Sequence, residues 1–165
     1  MNITLRIFRE NDFDAFSAIV SDFDVVKMTS SWPFPADEEF TRMRMNTPEA
    51  KAGIVKVIEV DGDFAGVIGV VENDIGYMID RSFWGKGIMT QALNMRIKDE
   101  FENPVIDSLK ACVWHDNPAS ARVLEKVGFK RVKVCSDFCK ARNSEIESIH
   151  FTLSRDDWAA KAEMK

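Results

Sequence analysis

The sequence predicts an α/β fold in a single domain, with a mixed, mostly antiparallel sheet of about seven strands, flanking helices and splayed central strands. Three observations indicate this fold. The chain has 165 residues, a length that fits one domain with a substantial core. Segments with alternating apolar residues interchange with segments that have one apolar helical face. Strands on both sides of a helix over residues 88–101 imply one parallel crossover.

The first part of the chain contains one predicted strand and two predicted helices. Residues 3–9 alternate as a strand, and Asn11 is the expected N-cap of a helix that runs to about residue 21. Residues 22–35 are predicted to be irregular, and a short charged helix follows over residues 36–46.

Three strands of an antiparallel meander come next. The dipeptide Asp61-Gly62 predicts a hairpin turn between the first two strands, and the polar residues 72–74 predict a second turn. The predicted strands cover residues 54–60, 64–71 and 75–80.

The second half of the chain alternates between helices and strands. Met89, Leu93, Ile97 and Phe101 follow i, i+4 spacing, so the helix over residues 88–101 has one apolar side. A later helix has Asn117 as N-cap, Pro118 at its first position and Gly128 beyond its end. The remaining predicted elements are strands over residues 109–114, 129–135 and 144–153 and a tail helix over residues 155–165.

Composition excludes several classes of protein. The net charge is −5, which disfavours nucleic acid as a partner, because phosphate neutralisation dominates that binding. No apolar run approaches the ~20 residues of a membrane span, and the first ten residues lack a secretory layout. We therefore predict a cytoplasmic protein. The three cysteines and two histidines show no recognisable metal-ligand spacing, so we predict no metal.

The most informative segment joins the strand over residues 75–80 to the helix that begins at about Ile88. Gly85, Lys86 and Gly87 form a turn directly before this helix. The first N–H groups of a helix have no partner within it, and its N-terminus carries a partial positive charge. Glycines leave room for a phosphate beside these N–H groups. The segment can therefore hold a phosphorylated ligand with main-chain atoms, and a second helix start at Asn117 strengthens the interpretation.

Two motifs resemble the GNAT N-acetyltransferases, and the nearest branch is the RimJ/RimL-like one, the ribosomal-protein N-terminal acetyltransferases. The motifs read GYMIDRSFWGKGIMTQAL and ACVWHDNPASARVLEKVGFKRV, and the opening TLRIFRENDFDAF is similar to the first strand and helix of that branch. The resemblance covers nearly the whole chain. It implies one N-acetyltransferase domain over residues 1–165 and acetyl-CoA as the co-substrate.

The resemblance also implies which residues bind acetyl-CoA. Backbone N–H groups of the glycine turn and helix start are expected to bind the pyrophosphate, and the end of the preceding strand is expected to polarise the thioester carbonyl. A plain turn with a solvated lysine is the alternative for Lys86. The residues implied here are Met78, Ile79, Gly85, Lys86, Gly87, Ile88, Met89 and Thr90.

Three residues of the second motif carry further expectations. Asn117 resembles the asparagine that reaches the pantetheine arm, or it is a simple helix cap. Ser120 resembles the serine that donates a hydrogen bond or proton to the departing thiolate, or it bonds to nearby backbone. Arg122 contacts the phosphates of the cofactor or pairs with surface acids.

The implied reaction is direct attack of a neutral amine on the thioester. Neutralising an α-amino group at pH 7 costs roughly 1.4 kcal/mol, against roughly 4.6 kcal/mol for a lysine side chain. Glu72 is the predicted base, although Asp74, Asp80 and His115 also flank the expected cleft. Trp32 and Phe34 are predicted to line the acceptor pocket, or else to form a buried lid or a dimer contact.

We therefore predict an acetyl-CoA-dependent N-acetyltransferase that acts on a small-molecule amine or a peptide N-terminus. It is predicted to be a monomer or a homodimer without membrane contact. The alternative is a non-catalytic acyl-CoA sensor on the same fold. That alternative draws on the lack of an obvious base and on Ser82, where many relatives carry Gln or Arg.

Overall fold

The computed structural model describes residues 1–164 and contains one seven-stranded sheet. Its strands are β1 (Ile3–Arg6), β2 (Val55–Val60), β3 (Asp63–Val71), β4 (Asp74–Ile79), β5 (Ser108–Trp114), β6 (Lys130–Cys139) and β7 (Ser144–Ser154). Its α-helices are α1 (Phe13–Val20), α2 (Phe23–Val26), α3 (Glu38–Met45), α4 (Pro48–Lys51), α5 (Ile88–Phe101), α6 (Pro118–Val127) and α7 (Arg155–Glu163).

The strand order across the sheet is β1-β2-β3-β4-β5-β7-β6. Strands β4 and β5 are parallel, because α5 carries the chain across the sheet between them. The other neighbouring strands are antiparallel. The last strand, β7, lies between β5 and β6. The predicted fold class is therefore confirmed.

Two apolar cores cover the two faces of the sheet. Helices α5 and α6 pack on one face, which we call the donor face, against residues such as Ile75, Ala111 and Val113. Helices α1, α2 and α3 pack with Trp32 on the opposite face, which we call the acceptor face, against Val67 and Met78. Successive strand residues alternate between these faces, so neighbours such as Tyr77 and Met78 belong to different cores.

Several predicted boundaries in the first part of the chain were wrong. The first strand ends at Arg6, because Asp12 accepts hydrogen bonds from the Arg9 N–H and from both terminal nitrogens of Arg6. Asp12 precedes α1, whereas Asn11 lies in a 3₁₀ turn over Glu10–Asp12. The segment predicted to be irregular contains α2, whose first turn is capped by Asp22.

Two further elements differ from the prediction. Helix α4 was not predicted; it begins with Pro48 and is capped by Thr47. Strand β6 continues to Cys139, four residues beyond its predicted end at residue 135, because it pairs with β7 along its whole length. Lys165, the last residue of the predicted domain and tail helix, lies outside the described residues, and the single domain over 1–165 stays a prediction. Within residues 1–164 no helix has the length and apolar character that crossing a membrane requires.

Candidate active site

A cleft opens where β4 and β5 separate. The register pairs these parallel strands at Asp74 and Lys110, and the Lys110 N–H donates to the Asn73 carbonyl at 2.8 Å. The strands then diverge toward their carboxyl ends, where ligands commonly bind in such sheets. The resulting cleft has a volume of about 1130 Å³ and reaches residues on both faces of the sheet.

The glycine turn and the start of α5 line the donor side of this cleft. Gly85 and Gly87 have φ angles of +72° and +76°, which favour glycine. No atom lies within 4 Å of a Cβ built on either glycine, so the space beside the turn is open. The Gln91 N–H donates to the Gly87 carbonyl, which leaves the N–H groups of the first helical turn without a helical partner. This arrangement fits a phosphate group.

The start of α6 lines the same cleft. The Asn117 side-chain oxygen accepts the Ser120 N–H at 3.2 Å, so Asn117 is the helix cap that the sequence indicated. Arg122 also lines the cleft and forms no ion pair with any residue from 1 to 164. The two helix starts therefore face one cavity, as a ligand that spans both requires.

Ser120 has a close hydrogen-bond partner across the cleft. Its Oγ lies 2.6 Å from the hydroxyl oxygen of Tyr77, which extends from β4. Burial raises the pKa of Tyr77 to about 12, so this phenol keeps its proton at neutral pH. Tyr77 can then donate to Ser120, which leaves the Ser120 hydroxyl free to donate to another acceptor.

The edge of β4 directs one backbone donor toward the cleft. The Asp80 N–H donates to the Ala65 carbonyl on β3, and N–H groups alternate in direction along a strand. The Met78 N–H therefore points to β3, whereas the Ile79 N–H points toward the diverging β5. The Ile79 carbonyl accepts the Trp84 indole N–H at 3.0 Å.

Polar side chains from three strands meet on the acceptor side of the cleft. The register pairs Cys112 on β5 with His150 on β7, so their side chains share one face. Asp137, on β6, accepts a short hydrogen bond from the Ser148 hydroxyl, and its Oδ2 lies 2.9 Å from His150 Nε2. The Cys112 thiol donates to the same carboxylate at 3.8 Å. Cys112, Asp137 and His150 all line the cleft.

This cluster keeps a charged carboxylate beside a neutral thiol. Hydrogen bonds from Ser148 and then His150 hold the pKa of Asp137 below its usual range. Burial raises the pKa of the Cys112 thiol to about 11. The ligand atoms of Cys112, Asp137 and His150 lie within 4.8 Å of one another, a spacing that can hold a metal ion. The direct hydrogen bond between Asp137 and His150 equally suits them to transfer a proton.

The structure brings most of the predicted site residues together. Glu72, Lys86 and Phe34 are the ones that do not line the cleft. Ten other members of the predicted set line it together with Trp32: Met78, Ile79, Gly85, Gly87, Ile88, Met89, Thr90, Asn117, Ser120 and Arg122.

The three remaining residues have other surroundings. Glu72 is exposed in the turn between β3 and β4, at the end of β4 opposite the glycine turn. The Lys86 ammonium lies 5.6 Å from the centre of the Phe83 ring. Phe34 packs on Phe23, with their ring centres 5.0 Å apart.

Trp32 forms one wall of the cleft but is only 4% exposed. Phe16 and Phe40 contact it edge-on, with ring centres at 5.3 and 5.4 Å. Its indole therefore offers little area to a ligand and helps to position the residues around it.

Sequence reasoning missed Tyr77, Asp137, His150 and Arg44, which also line the cleft. Tyr77 is the single tyrosine of the chain and lies inside the first motif, so its position could have indicated a site residue. Asp137 and His150 carry no local signal, because only the pairing of β5, β7 and β6 brings them next to Cys112.

Comparison with known proteins gives a family match over most of the chain. Residues 2–130 match the family described as "Acetyltransferase (GNAT) domain". The chain is also similar to an uncharacterized N-acetyltransferase, p20, of Bacillus licheniformis. The two are 26% identical over 171 aligned positions, which cover 95% of each chain.

Solved structures share the fold at low sequence identity. One is RimL, described as a ribosomal L7/L12 alpha-N-protein acetyltransferase in complex with coenzyme A. Its TM-score is 0.81 at 22% identity, covering 95% of this chain and 96% of that chain. Another is a spermidine N-acetyltransferase from Vibrio cholerae with CoA and spermine. Its TM-score is 0.77 at 13% identity, covering 95% of this chain and 98% of that chain.

Proposed function

Because this chain belongs to the GNAT acetyltransferase family, we propose that it transfers the acetyl group of acetyl-CoA to a primary amine by direct attack. One observation carries the proposal. A single cleft joins two helix N-termini on the donor face to a carboxylate–imidazole pair on the acceptor face. The first side suits a phosphorylated donor, and the second suits an amine that must lose a proton.

In this proposal main-chain groups hold the donor. The free N–H groups of the glycine turn and the first turn of α5 bind the pyrophosphate. Asn117 and Arg122 contact the pantetheine arm and a phosphate. Lys86 belongs to the same turn and adds its charge from outside the cleft. The Ile79 N–H donates to the thioester oxygen, where negative charge develops during attack.

The acceptor amine reaches the carbonyl from the other side of the sheet. The Asp137 carboxylate attracts the ammonium form, and the Asp137–His150 pair takes one proton from it. The neutral amine then attacks the thioester carbon, the C–S bond breaks to release the CoA thiolate, and the second amine proton passes to water. Glu72, the base predicted from sequence, is exposed at the far turn and lies outside this arrangement.

Ser120 and Tyr77 act on the leaving group. The Ser120 hydroxyl donates to the departing CoA sulfur. Tyr77 donates to Ser120 Oγ and so makes the Ser120 O–H a stronger hydrogen-bond donor. No covalent acetyl-enzyme is required. The high pKa of Cys112 agrees with this, because a thiol needs its thiolate form to act as a nucleophile.

The resemblance to the RimJ/RimL-like branch favours a protein or peptide N-terminus as the acceptor within this proposal. A lower amine pKa makes an α-amino group easier to deprotonate than a lysine side chain. The alternative of a non-catalytic acyl-CoA sensor drew on the absence of a base. The Asp137–His150 pair in the cleft supports a catalytic acetyltransferase instead.

Acetyl-CoA binding and CoA release with a panel of primary amines test the proposal. Calorimetric titration should show one acetyl-CoA site, and no binding to folded protein would contradict the proposal. The Ser120→Ala variant should lower kcat by about 10- to 100-fold while the Kd for acetyl-CoA changes by less than about threefold. Equal turnover by the variant and the parent would remove the role assigned to Ser120.

A further inference from the structure

Arg44 lies on the acceptor side of the cleft, away from the residues that bind the donor. It belongs to α3 and lines the cleft together with Ser31 and Trp32. Its guanidinium carbon stacks 4.7 Å from the centre of the Trp32 ring. Trp32 belongs to the core on the acceptor face, whereas the start of α5 belongs to the core on the donor face. Arg44 therefore lies on the side of the cleft to which the amine is assigned in the proposed function, away from the start of α5.

The charge of Arg44 is poorly compensated inside the protein. Its polar contact is a long one, from Nη2 to the Ser31 hydroxyl at 3.5 Å. It forms no ion pair with any residue from 1 to 164, although burial lowers its pKa by disfavouring the charged form. An arginine that is half-buried without a carboxylate is unfavourable unless another group supplies the missing charge.

The other half-buried or buried arginines in residues 1–164 have strong partners. Arg6 and Arg142 each bind an aspartate through two nitrogens, and Arg96 pairs with Glu100 at 2.8 Å. Arg155 donates to several backbone carbonyls, the shortest contacts being 2.6 Å. Within this group Arg44 alone presents its guanidinium to the cleft without such a partner.

We propose that Arg44 binds a carboxylate of the amine acceptor. The planar guanidinium offers two parallel N–H groups that match a carboxylate, and the aromatic ring below holds it in place. The proposal rests on the acetyl transfer proposed above and names the class of acceptor. This class is an amine that carries an acidic group, either a free amino acid or a peptide with an acidic side chain near its N-terminus.

Asp137 and Arg44, two of the charged residues that line the cleft, then have complementary roles. Asp137 attracts the ammonium end of the acceptor, and Arg44 attracts its anionic end. A polycation such as spermidine satisfies the first contact and is repelled by the second. Arg44 therefore favours a dipolar acceptor over a polyamine at its own position in the cleft.

Matched acceptors that differ in one carboxylate test this inference. The first pair is Ala-Glu-Ala-amide and Ala-Gln-Ala-amide, the second is β-alanine and β-alaninamide, and spermidine is the polycation. Measurement of kcat/KM by CoA release should show that the parent protein favours the carboxylate member of one pair by about 10- to 100-fold. A preference within the first pair identifies a peptide as the source of the carboxylate, and a preference within the second pair identifies a small amino acid.

Variants assign the preference to Arg44. Arg44→Gln should abolish it through a higher KM with little change in kcat, and Arg44→Lys should retain a smaller part of it. The matched control is Arg42→Gln, two residues earlier on α3, because Arg42 is exposed and already paired with Glu38. This control should keep the full preference. Thermal unfolding checks that each variant is folded, and Arg44→Lys keeps the charge if Arg44→Gln is unstable.

Binding and turnover separate the possible failures. Calorimetric titration of the same acceptors into the protein with CoA reports the preference without any reaction. Failure of every acceptor to release CoA would count against the proposed transferase, while a carboxylate preference in binding would still support the Arg44 site. Equal affinity for both members of each pair, or a preference that survives in Arg44→Gln, would overturn the inference.

Discussion

The two sides of the cleft are built in different ways. The donor side comes from two short stretches of chain, the glycine turn with the start of α5 and the start of α6, and it uses mainly backbone N–H groups. The acceptor side is assembled from α3, β5, β6 and β7, and it uses side chains. A backbone site depends on local turn and cap residues, whereas a side-chain site depends on how distant strands pair.

The difference also concerns tolerance to substitution. Lys86, in the middle of the glycine turn, does not line the cleft, whereas Gly85 and Gly87 on either side of it do. On the acceptor side a single atom, Asp137 Oδ2, receives contacts from Cys112, Ser148 and His150. We therefore expect variants of acceptor-side side chains to change the binding or reaction of the amine, and variants of the glycine turn to change acetyl-CoA affinity.

The largest expected effect belongs to Asp137→Asn. Loss of the carboxylate removes the attraction for the ammonium and weakens proton removal, so kcat/KM for the amine should fall by about 10²- to 10³-fold. The Kd for acetyl-CoA should stay within about threefold of the parent value. CoA release and calorimetry measure the two quantities. The control is Glu145→Gln on β7, whose carboxylate is exposed and contacts Ser136.

A smaller effect concerns the reactivity of Cys112. A pKa of about 11, against 9.0 for a simple thiol, keeps the thiolate fraction of Cys112 near neutral pH about 100-fold below that of such a thiol. Alkylation by iodoacetamide at pH 7.5 should be slower by about the same factor, and its rate should keep rising until the pH approaches 11. Mass spectrometry of the Cys112 peptide follows the reaction. A fast reaction that levels off below pH 9 would contradict this assignment.

The smallest expected effect tests the donor side. Gly87→Ala adds a side chain at φ +76° beside the first turn of α5, so the KM for acetyl-CoA should rise by about tenfold with little change in kcat. Gly62→Ala is the control, because Gly62 has φ +91° and equally open surroundings in the turn between β2 and β3. Both variants should lose similar stability, but Gly62→Ala should leave the KM unchanged. An equal rise in the KM of Gly62→Ala would show that backbone strain alone explains the higher KM of Gly87→Ala.

Much of the fold was predictable from the sequence, and the differences have physical causes. The meander and the helices α5 and α6 were predicted because their turns and caps, such as Asp61-Gly62 and Asn117, act within a few residues. The end of β1 was missed because it depends on Asp12 reaching back to Arg6 and Arg9. The extension of β6 was missed because its partner β7 holds it in the sheet.

The sequence by itself determined the fold class, the family and the donor side of the cleft. Glycines at positive φ and helix caps produce their geometry locally, so their positions in the chain predict a phosphate-binding surface. Only the tertiary structure decided the acceptor side. Insertion of β7 between β5 and β6 places His150 beside Cys112 and Asp137, and packing of α3 on Trp32 turns Arg44 into the same cleft. These contacts join residues far apart in the chain, so no short-range sequence pattern predicts them.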